Sequence, residues 1–393
     1  MTTIRSAICV RCPPRWLLLR VETDDGEIGW GEAIGDLHDE VEKALTAIGE
    51  RVVGNSTHDI TRTIETQRKT RFWRDGPVLD TALSALEMAL WDIKGKQLGA
   101  PIHDLVGGRV RERVRVYRNL WGRNQSEFAE SAREALSQSM TAVKVSPAGP
   151  TPDVVSRSNL DEMVDVVQAV REAVGPNVDL AIDLHGRLTP AASRRAVHAL
   201  APFDPFFIEE PCLPDGSASH LADLRALRTA QPISIATGER LRSAHAFAQH
   251  LLPSPVVDII QPDVSMVGGV RATLEIGAMA EAAQVSMAPH CPYGPVQFAA
   301  SMQVAAASPA HLIQEFQSLG GAGSGGGSPG GGQDWAFDLI AEPFNIKAGH
   351  VEVPIGPGLG IQVMEERIEE HIEMWNPHPP TAWTHTDGSH AEW

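Results

Sequence analysis

Residues 178–185 read Val-Asp-Leu-Ala-Ile-Asp-Leu-His, a short apolar run that ends on a carboxylate and an imidazole. Similar short runs recur through the middle of the chain, and apolar residues at helical spacing fill the segments between them. This alternation is typical of parallel strands in α/β proteins, which are buried on both faces. The runs that we interpret as strands are Val114–Arg118, Ala142–Ser146, Val178–Asp183, Phe206–Glu209, Ile233–Ala236, Val256–Ile260, Val285–Ala288 and Leu312–Glu315.

The segments between these runs carry signals for the start of a helix. Thr189 and Pro190 supply an N-cap followed by proline at the first helical position. Ser243 and the pair Gly268-Gly269 each precede a stretch with helical periodicity. Eight strand–helix repeats predict a parallel β/α barrel of the TIM type. An open, doubly wound sheet is the alternative that the same repeats allow.

Residues 1–112 have a different pattern, which predicts a small α+β domain. The runs Leu17–Glu22 and Gly29–Glu32 flank the turn sequence Asp24-Asp25-Gly26 and indicate a β-hairpin. Apolar residues at helical spacing predict a helix over Asp80–Leu98, and a Gly-Ala-Pro sequence follows it as a stop signal.

Residues 319–393 follow the last predicted strand. They include the glycine-rich stretch Gly320–Gly332, which lacks the Gly-Lys-Ser/Thr of a phosphate-binding loop and is expected to be flexible. A mobile lid and a disordered insertion are both compatible with that composition. The tail that carries Trp375, Trp383 and Trp393 is expected to pack back on the protein as a strap.

Length and charge narrow the classes of function. A chain of 393 residues is too long for one ordinary core, and its formal charge of −17 argues against nucleic acid as a partner. Its N-terminus does not resemble a signal peptide, its apolar runs are too short to span a membrane, and four cysteines do not suggest a disulfide framework. We therefore expect a cytoplasmic protein. A chain this acidic needs a local cation to bind an anionic substrate.

Three carboxylates follow consecutive strands, where the active sites of such barrels lie. They are Asp183, Glu209 and Glu239, after the third, fourth and fifth predicted strands. Oxygen ligands suit a hard divalent cation, Mg²⁺ or Mn²⁺, and three carboxylates this close would repel one another without a metal. A salt bridge at the rim is the alternative for any one of them. Because all three carboxylates occupy corresponding positions on neighbouring strands, a metal site is favoured.

Two histidines and a lysine follow other strands. Asp263 and His290 follow the sixth and seventh, and a carboxylate beside an imidazole makes a competent general base, whereas a histidine held by backbone is the alternative. His185 lies two residues after Asp183, so strand alternation predicts an imidazole beside the metal and across the site from His290. Lys144, at the end of the second strand, would bind a substrate carboxylate or form a structural ion pair.

With these residues, the chain resembles the enolase superfamily in its mandelate racemase/muconate lactonizing branch, and is most similar there to the galactonate dehydratases. The resemblance runs nearly end to end. The segment Asp183–Arg187 and the tail that ends at Trp393 are specific to the dehydratase branch. The other matching segments are Pro13–Trp16, Gly29–Glu32, Ala89–Lys96, Ile208–Pro211, Gly238–Arg240, Gln261–Asp263, Ala288–Pro292 and Gln314–Glu315.

The resemblance implies a specific architecture. Residues 1–112 would form an α+β capping domain, and residues 113–318 a modified TIM-type (β/α)7β barrel. Residues 319–393 would contain the glycine-rich loop and a C-terminal segment that returns to the capping domain. A homo-oligomer without membrane partners is also expected.

The resemblance also implies roles. The three rim carboxylates would hold Mg²⁺, with Mn²⁺ as a substitute, and the substrate would be a small acid sugar. His290, paired with Asp263, would remove the proton next to the carboxylate. His185 would protonate the departing hydroxyl, and Glu315 would hydrogen-bond the enediolate side of the substrate. The reaction implied is dehydration of an aldonic acid to a 2-keto-3-deoxy acid.

Departures from the family pattern leave other activities open. Relatives that use a base on the second strand have Lys-x-Lys, whereas this chain has Lys144-x-Ser146, which argues against racemisation with a second lysine. The loop Ile34–His38 is short, which leaves the identity of the sugar open. Epimerisation or cycloisomerisation on the same scaffold, and a non-catalytic barrel that binds sugar acids, are the alternatives.

Overall fold

A computed structural model describes residues 2–35, 37–213, 217–230, 232–316, 339–377, 382–385 and 387–392. The glycine-rich stretch Gly320–Gly332 and the last tryptophan, Trp393, lie outside these ranges. Within them, no helix combines the length and the apolar composition that crossing a membrane requires.

The first part of the chain contains an antiparallel sheet and helices. Strands β1 (Ile4–Cys12), β2 (Trp16–Thr23) and β3 (Ile28–Ala33) pair in chain order, so the predicted hairpin is confirmed. The predicted helix over Asp80–Leu98 is also confirmed, and it begins slightly earlier, at Pro77. The helices are α1 (His38–Val52), α2 (Ile60–Lys69), α3 (Pro77–Leu98) and the short α4 (Ile102–Leu105).

Helix α3 is buried on nearly every side because the sheet packs on one face and the barrel helices on another. It ends before Gly99, which takes the left-handed conformation that closes the helix. Two of its acidic residues, Glu87 and Asp92, are buried and bond to other parts of the chain. This helix therefore joins the first part of the chain to the barrel.

Every predicted barrel strand is present. Neighbours pair in parallel in chain order, the eighth strand pairs with the first, and Met287 bridges His311 to close the ring. The alternative of an open sheet is therefore wrong. The strands are β4 (Arg113–Asn119), β5 (Ala142–Val145), β6 (Asp179–Asp183), β7 (Phe207–Glu209), β8 (Ile235–Thr237), β9 (Ile259–Ile260), β10 (Ser286–Met287) and β11 (Gln314–Phe316).

Seven helices alternate with these eight strands in the described part of the chain, which is the predicted (β/α)7β order. Thr189 and Ser243 cap their helices by accepting hydrogen bonds from Ala192 N and Ala246 N, as their positions predict. The helices are α5 (Gln125–Ser137), α6 (Arg157–Val174), α7 (Pro190–Leu200), α8 (Ala218–Ala230), α9 (Ala244–Leu251), α10 (Gly269–Ala282) and α11 (Pro295–Ala307).

The C-terminal segment runs back over the first part of the chain. Leu359 N donates to Asp92 Oδ1 (2.9 Å), and Asn376 N donates to Pro14 O (2.8 Å). The ring of Trp375 packs edge-on against His38, with ring centroids 5.5 Å apart. The remaining elements are β12 (Ile346–Lys347), β13 (His350–Glu352), α12 (Glu365–Glu370) and the hairpin strands β14 (Trp383–Thr384) and β15 (His390–Ala391).

Candidate metal centre and active site

The alternation of side chains along each strand places the polar groups of the site above an apolar layer. Ala181 belongs to that layer and Asp183 follows it two residues later; Phe207 and Glu209 are related in the same way. The layer consists of Tyr117, Ala142, Ala181, Phe207, Ala236, Ile259, Ala288 and Ile313. The same spacing of two residues relates other members of the layer to Asn119, Lys144, His290 and Glu315.

The structure brings the three predicted metal ligands together. Asp183, Glu209 and Glu239 each offer a carboxylate oxygen, and these oxygens lie within 4.8 Å of one another. Glu209 Oε2 is buried and accepts no hydrogen bond from any residue that the structure describes. Burial, and repulsion from the other two carboxylates, raise the pKa of Glu209 well above its usual range. A crowded acidic cluster with an unsatisfied oxygen fits a divalent cation.

Lys144 supplies positive charge beside this cluster. Its buried Nζ lies 2.8 Å from Glu209 Oε1, 3.1 Å from Glu315 Oε1 and 3.6 Å from Asp183 Oδ2. Although burial opposes its charge, Glu209 and Glu315 raise the pKa of Lys144 well above its usual range. Lys144 therefore forms the ion pair that was one of its two predicted roles.

Asp263 and His290 form a direct pair. Nδ1 of His290 lies 2.8 Å from Asp263 Oδ2, and Nε2 lies 3.5 Å from Glu239 Oε2. Burial opposes protonation of the imidazole, but Glu239, the hydrogen bond to Asp263 and Glu315 raise the pKa of His290 to about 10. The bond to Asp263 assigns the proton to Nδ1, which directs Nε2 at the carboxylate cluster.

His185 reaches the same cluster by a different route from the one predicted. Strand β6 ends at Asp183, and His185 takes a left-handed conformation (φ 58°) outside the strand, so alternation does not orient its side chain. Its backbone N–H instead donates to Asp183 Oδ1 (2.7 Å), and its Nδ1 lies 3.0 Å from Asp183 Oδ2. The predicted proximity holds, but its cause is this local turn.

Glu315 is anchored on both oxygens. Oε1 accepts from Asn119 Nδ2 (2.7 Å), and Oε2 accepts from Cys291 N (2.6 Å), next to His290. Burial opposes ionisation, but Lys144, His290 and these donors lower the pKa of Glu315. Sequence reasoning missed Asn119, because the first predicted strand stopped one residue short of it.

Other contacts of the site come from distant parts of the chain, and sequence reasoning missed them as well. Gln297 Nε2 donates to Asp263 Oδ1 (2.8 Å). The guanidinium of Arg187 lies over the ring of Trp383 in the tail, 4.4 Å from its centroid. The tail's Glu392 lies 3.8 Å from Arg240, which donates to the His185 carbonyl (3.0 Å). A polar or aromatic residue alone gives no sequence signal for such partners.

Two family models match the chain in the order of its two structural parts. The model described as mandelate racemase/muconate lactonizing enzyme, N-terminal domain, matches residues 3–107. The model described as enolase C-terminal domain-like matches residues 127–367.

Individual proteins are similar over most of the chain. D-galactonate dehydratase of Variovorax paradoxus (strain S110) is 36% identical over 388 residues, 98% of each chain. D-gluconate dehydratase of Thermoproteus tenax is 36% identical over 370 residues, which cover 91% of this chain and 70% of that protein. The solved mandelate racemase/muconate lactonizing enzyme from Sulfitobacter sp. is 30% identical with a TM-score of 0.83, covering 94% of this chain and 96% of that one.

Proposed function

Because this chain belongs to the mandelate racemase/muconate lactonizing enzyme family of the enolase superfamily, we propose that it is a Mg²⁺-dependent acid-sugar dehydratase. The substrate would be an aldonic acid, with D-galactonate and D-gluconate as first candidates because similar proteins bear those names. The product would be a 2-keto-3-deoxy acid.

One observation supports this proposal above all others: two imidazoles contact different members of one carboxylate cluster. His290 Nε2 lies 3.5 Å from Glu239, and His185 Nδ1 lies 3.0 Å from Asp183. Elimination of water needs a base at C2 and an acid at the 3-hydroxyl, and two histidines around one metal site can supply both.

Asp183, Glu209 and Glu239 would hold the Mg²⁺, and Mn²⁺ would be able to replace it. A bound divalent cation would polarise the substrate carboxylate and offset the negative charge that raises the pKa of His290.

The protein's own residues would then move two protons. The C2–H bond breaks and its proton passes to Nε2 of His290, because Nδ1–H is held by Asp263. The electron pair of that bond first delocalises into the carboxylate, which becomes an enediolate. It then returns to form the C2–C3 double bond as the C3–O bond breaks, and His185 donates the proton that lets the hydroxyl leave as water. The resulting enol converts to the 2-keto acid.

Lys144 and Glu315 would act on the carboxylate side of the substrate. Lys144 lies beside the metal ligands, where it would add positive charge as the enediolate forms. Glu315 is an acceptor in the substrate-free site, so it would need to gain a proton before hydrogen-bonding the enediolate as a donor.

Ser146 favours dehydration over racemisation by two bases. Its hydroxyl Oγ lies 3.4 Å from Asp183 Oδ2, at the position where relatives with a second-strand base have lysine. A hydroxyl in that place is a poor base at neutral pH. His185 and His290 are therefore the two groups through which protons would move.

The test is a panel of six- and five-carbon aldonic acids incubated with Mg²⁺ and assayed for 2-keto-3-deoxy acids. We expect turnover of at least one acid and its loss, by about a hundredfold or more, in His290→Asn and His185→Asn. His58→Asn, an exposed histidine outside the site, is the matched control. No turnover of any acid, or full activity of His290→Asn, would contradict the proposal. Deuterium uptake at C2 without a keto acid would indicate epimerisation instead.

A further inference from the structure

We propose that Gln297 is a positioning residue for the Asp263–His290 pair, and that Glu32 of the N-terminal part holds Gln297 in place. This inference rests on the proposed function, in which His290 is the base. Gln297 lies in the first turn of α11, and Glu32 lies in β3, on a different part of the fold. All three polar side chains behind the imidazole are fully buried: Glu32, Gln297 and Asp263.

The two oxygens of Asp263 have separate tasks. Oδ2 bonds to Nδ1 of His290 (2.8 Å). Oδ1 accepts from Ser265 N (2.7 Å) and from Gln297 Nε2 (2.8 Å). Ser265 holds the carboxylate from its own loop, whereas Gln297 holds it from helix α11. Two donors on Oδ1 restrict rotation of the carboxylate, which keeps Oδ2 aimed at the imidazole.

The amide of Gln297 has one orientation that satisfies its neighbours. Its Oε1 accepts from Tyr293 N (3.0 Å), which must donate, so Nε2 is the atom that faces Asp263. Tyr293 also follows His290 by three residues, on the same loop. Gln297 therefore binds both the loop that carries the base and the carboxylate that orients it.

Glu32 fixes the start of helix α11. Its Oε2 accepts from Gln297 N (2.8 Å), and its Oε1 accepts from Gly294 N. These donors have no partner within the helix, and the two carboxylate oxygens satisfy them. A Cβ on Gly294 would lie 2.7 Å from Glu32 Oε1 and 2.8 Å from Trp16, so only glycine lets the carboxylate approach. The N-terminal part thus sets the position from which Gln297 reaches Asp263.

The test compares two glutamines of one helix. Gln297→Met keeps the length of the side chain and removes its amide. Gln303→Met is the matched control: Gln303 is equally buried in α11 and donates to Pro354 O and Leu359 O (3.0 Å each), away from the site. Each variant is assayed for kcat, KM and thermal midpoint, and for the isotope effect with a substrate deuterated at C2.

We expect Gln297→Met to lower kcat about 10- to 100-fold with KM nearly unchanged, and not to lower the isotope effect, because proton removal is the step that slows. Gln303→Met should lower the thermal midpoint and leave kcat and the isotope effect as in the wild type. Equal kcat in the wild type and Gln297→Met would overturn the inference. If Gln297→Met does not fold, Glu32→Gln, which preserves volume, is measured in the same assays. It should also lower kcat, with KM nearly unchanged and the isotope effect not lowered.

A second readout separates this inference from the proposed function. The Nδ1–H proton of His290 is followed by NMR without substrate and is identified by its loss in His290→Asn. In Gln297→Met its resonance should shift and exchange faster with water. If the wild type dehydrates no acid sugar, the proposed function fails, and this resonance still decides the positioning role. An unchanged resonance in Gln297→Met would refute it.

Discussion

The molecule buries two groups of carboxylates in opposite ways. At the seam between the N-terminal part and the barrel, Glu87 accepts from Val270 N (2.7 Å), Arg271 N (3.1 Å) and Trp91 Nε1 (2.8 Å). At the proposed metal site, Glu209 accepts a hydrogen bond from Lys144 on one oxygen, and its other oxygen is buried without a donor from the described residues.

This difference distinguishes the structural acids from the acids that we propose as metal ligands. A buried carboxylate that serves packing is isolated from other acids, and both of its oxygens accept hydrogen bonds, as with Glu87. The acids of the proposed metal site crowd together, and Glu209 and Glu239 each have a buried oxygen that accepts no hydrogen bond from the described residues. Burial alone does not identify a metal ligand, but the convergence of three carboxylates within 4.8 Å of one another supports the assignment.

The largest expected effect comes from removing a functional acid. Glu209→Gln should lower kcat/KM about a thousandfold, because the lost ligand removes several kcal/mol of charge stabilisation. Glu87→Gln is the comparison at the seam and should lose stability while folded molecules keep their activity. An active Glu209→Gln would break the distinction.

The second effect is the pH dependence of stability at the seam. Burial raises the pKa of Glu87 from its ordinary 4.5 to about 7, against the effect of its donors and of Arg271. Between these pH values the folded state binds one more proton than the unfolded state, so stability falls as pH rises. This group alone should contribute a loss on the order of 3 kcal/mol.

The measurement for Glu87 is chemical unfolding between pH 5 and pH 8. Glu87→Gln should have a shallower decline than the wild type over this range, because its amide does not titrate. Glu50→Gln, at an exposed position of α1, should leave the decline unchanged. Parallel curves for the wild type and Glu87→Gln would show that the seam carboxylate is ionised throughout.

The third effect is stabilisation by the metal. At a Mg²⁺ concentration of about 100 times its Kd, the wild type should gain about 2.7 kcal/mol of stability. The thermal midpoint should therefore rise with MgCl₂ and return in EDTA, whereas NaCl of equal ionic strength should not reproduce the rise. Glu87→Gln should keep this response and Glu209→Gln should lose most of it. A response that survives in Glu209→Gln would place the cation elsewhere.

Most of the fold and the acids of the site could be predicted because both follow from local patterns. Each barrel strand is a short apolar run, and on strands such as β6 and β7 the polar end faces the same way as a residue of the apolar layer. Chain order then placed Asp183, Glu209 and Glu239 side by side, since consecutive parallel strands are neighbours.

The supporting contacts could not be predicted from such patterns. Glu32 and Gln297 are separated by 265 positions, and nothing in the spacing of either residue indicates the other. Asn119 was missed because the end of an apolar run locates the end of a strand only to within a residue or two. His185 was correctly placed near Asp183, but the left-handed turn that brings it there has no periodic signal.

The smallest effect is expected for an acid that is neither buried nor crowded. Glu392 in the tail is about half exposed, and its oxygen lies 3.8 Å from Arg240. An exposed pair of this kind stabilises a protein by about 1 kcal/mol or less. Glu392→Gln should therefore leave the thermal midpoint and kcat close to wild-type values, and high salt should abolish any remaining difference.

Arg240 also donates to the carbonyl of His185, so a tenfold loss of kcat in Glu392→Gln would show that the tail acts on the proposed general acid, His185, through this arginine. That result would place an exposed acid among the functional ones, and exposure would then fail to separate the two groups.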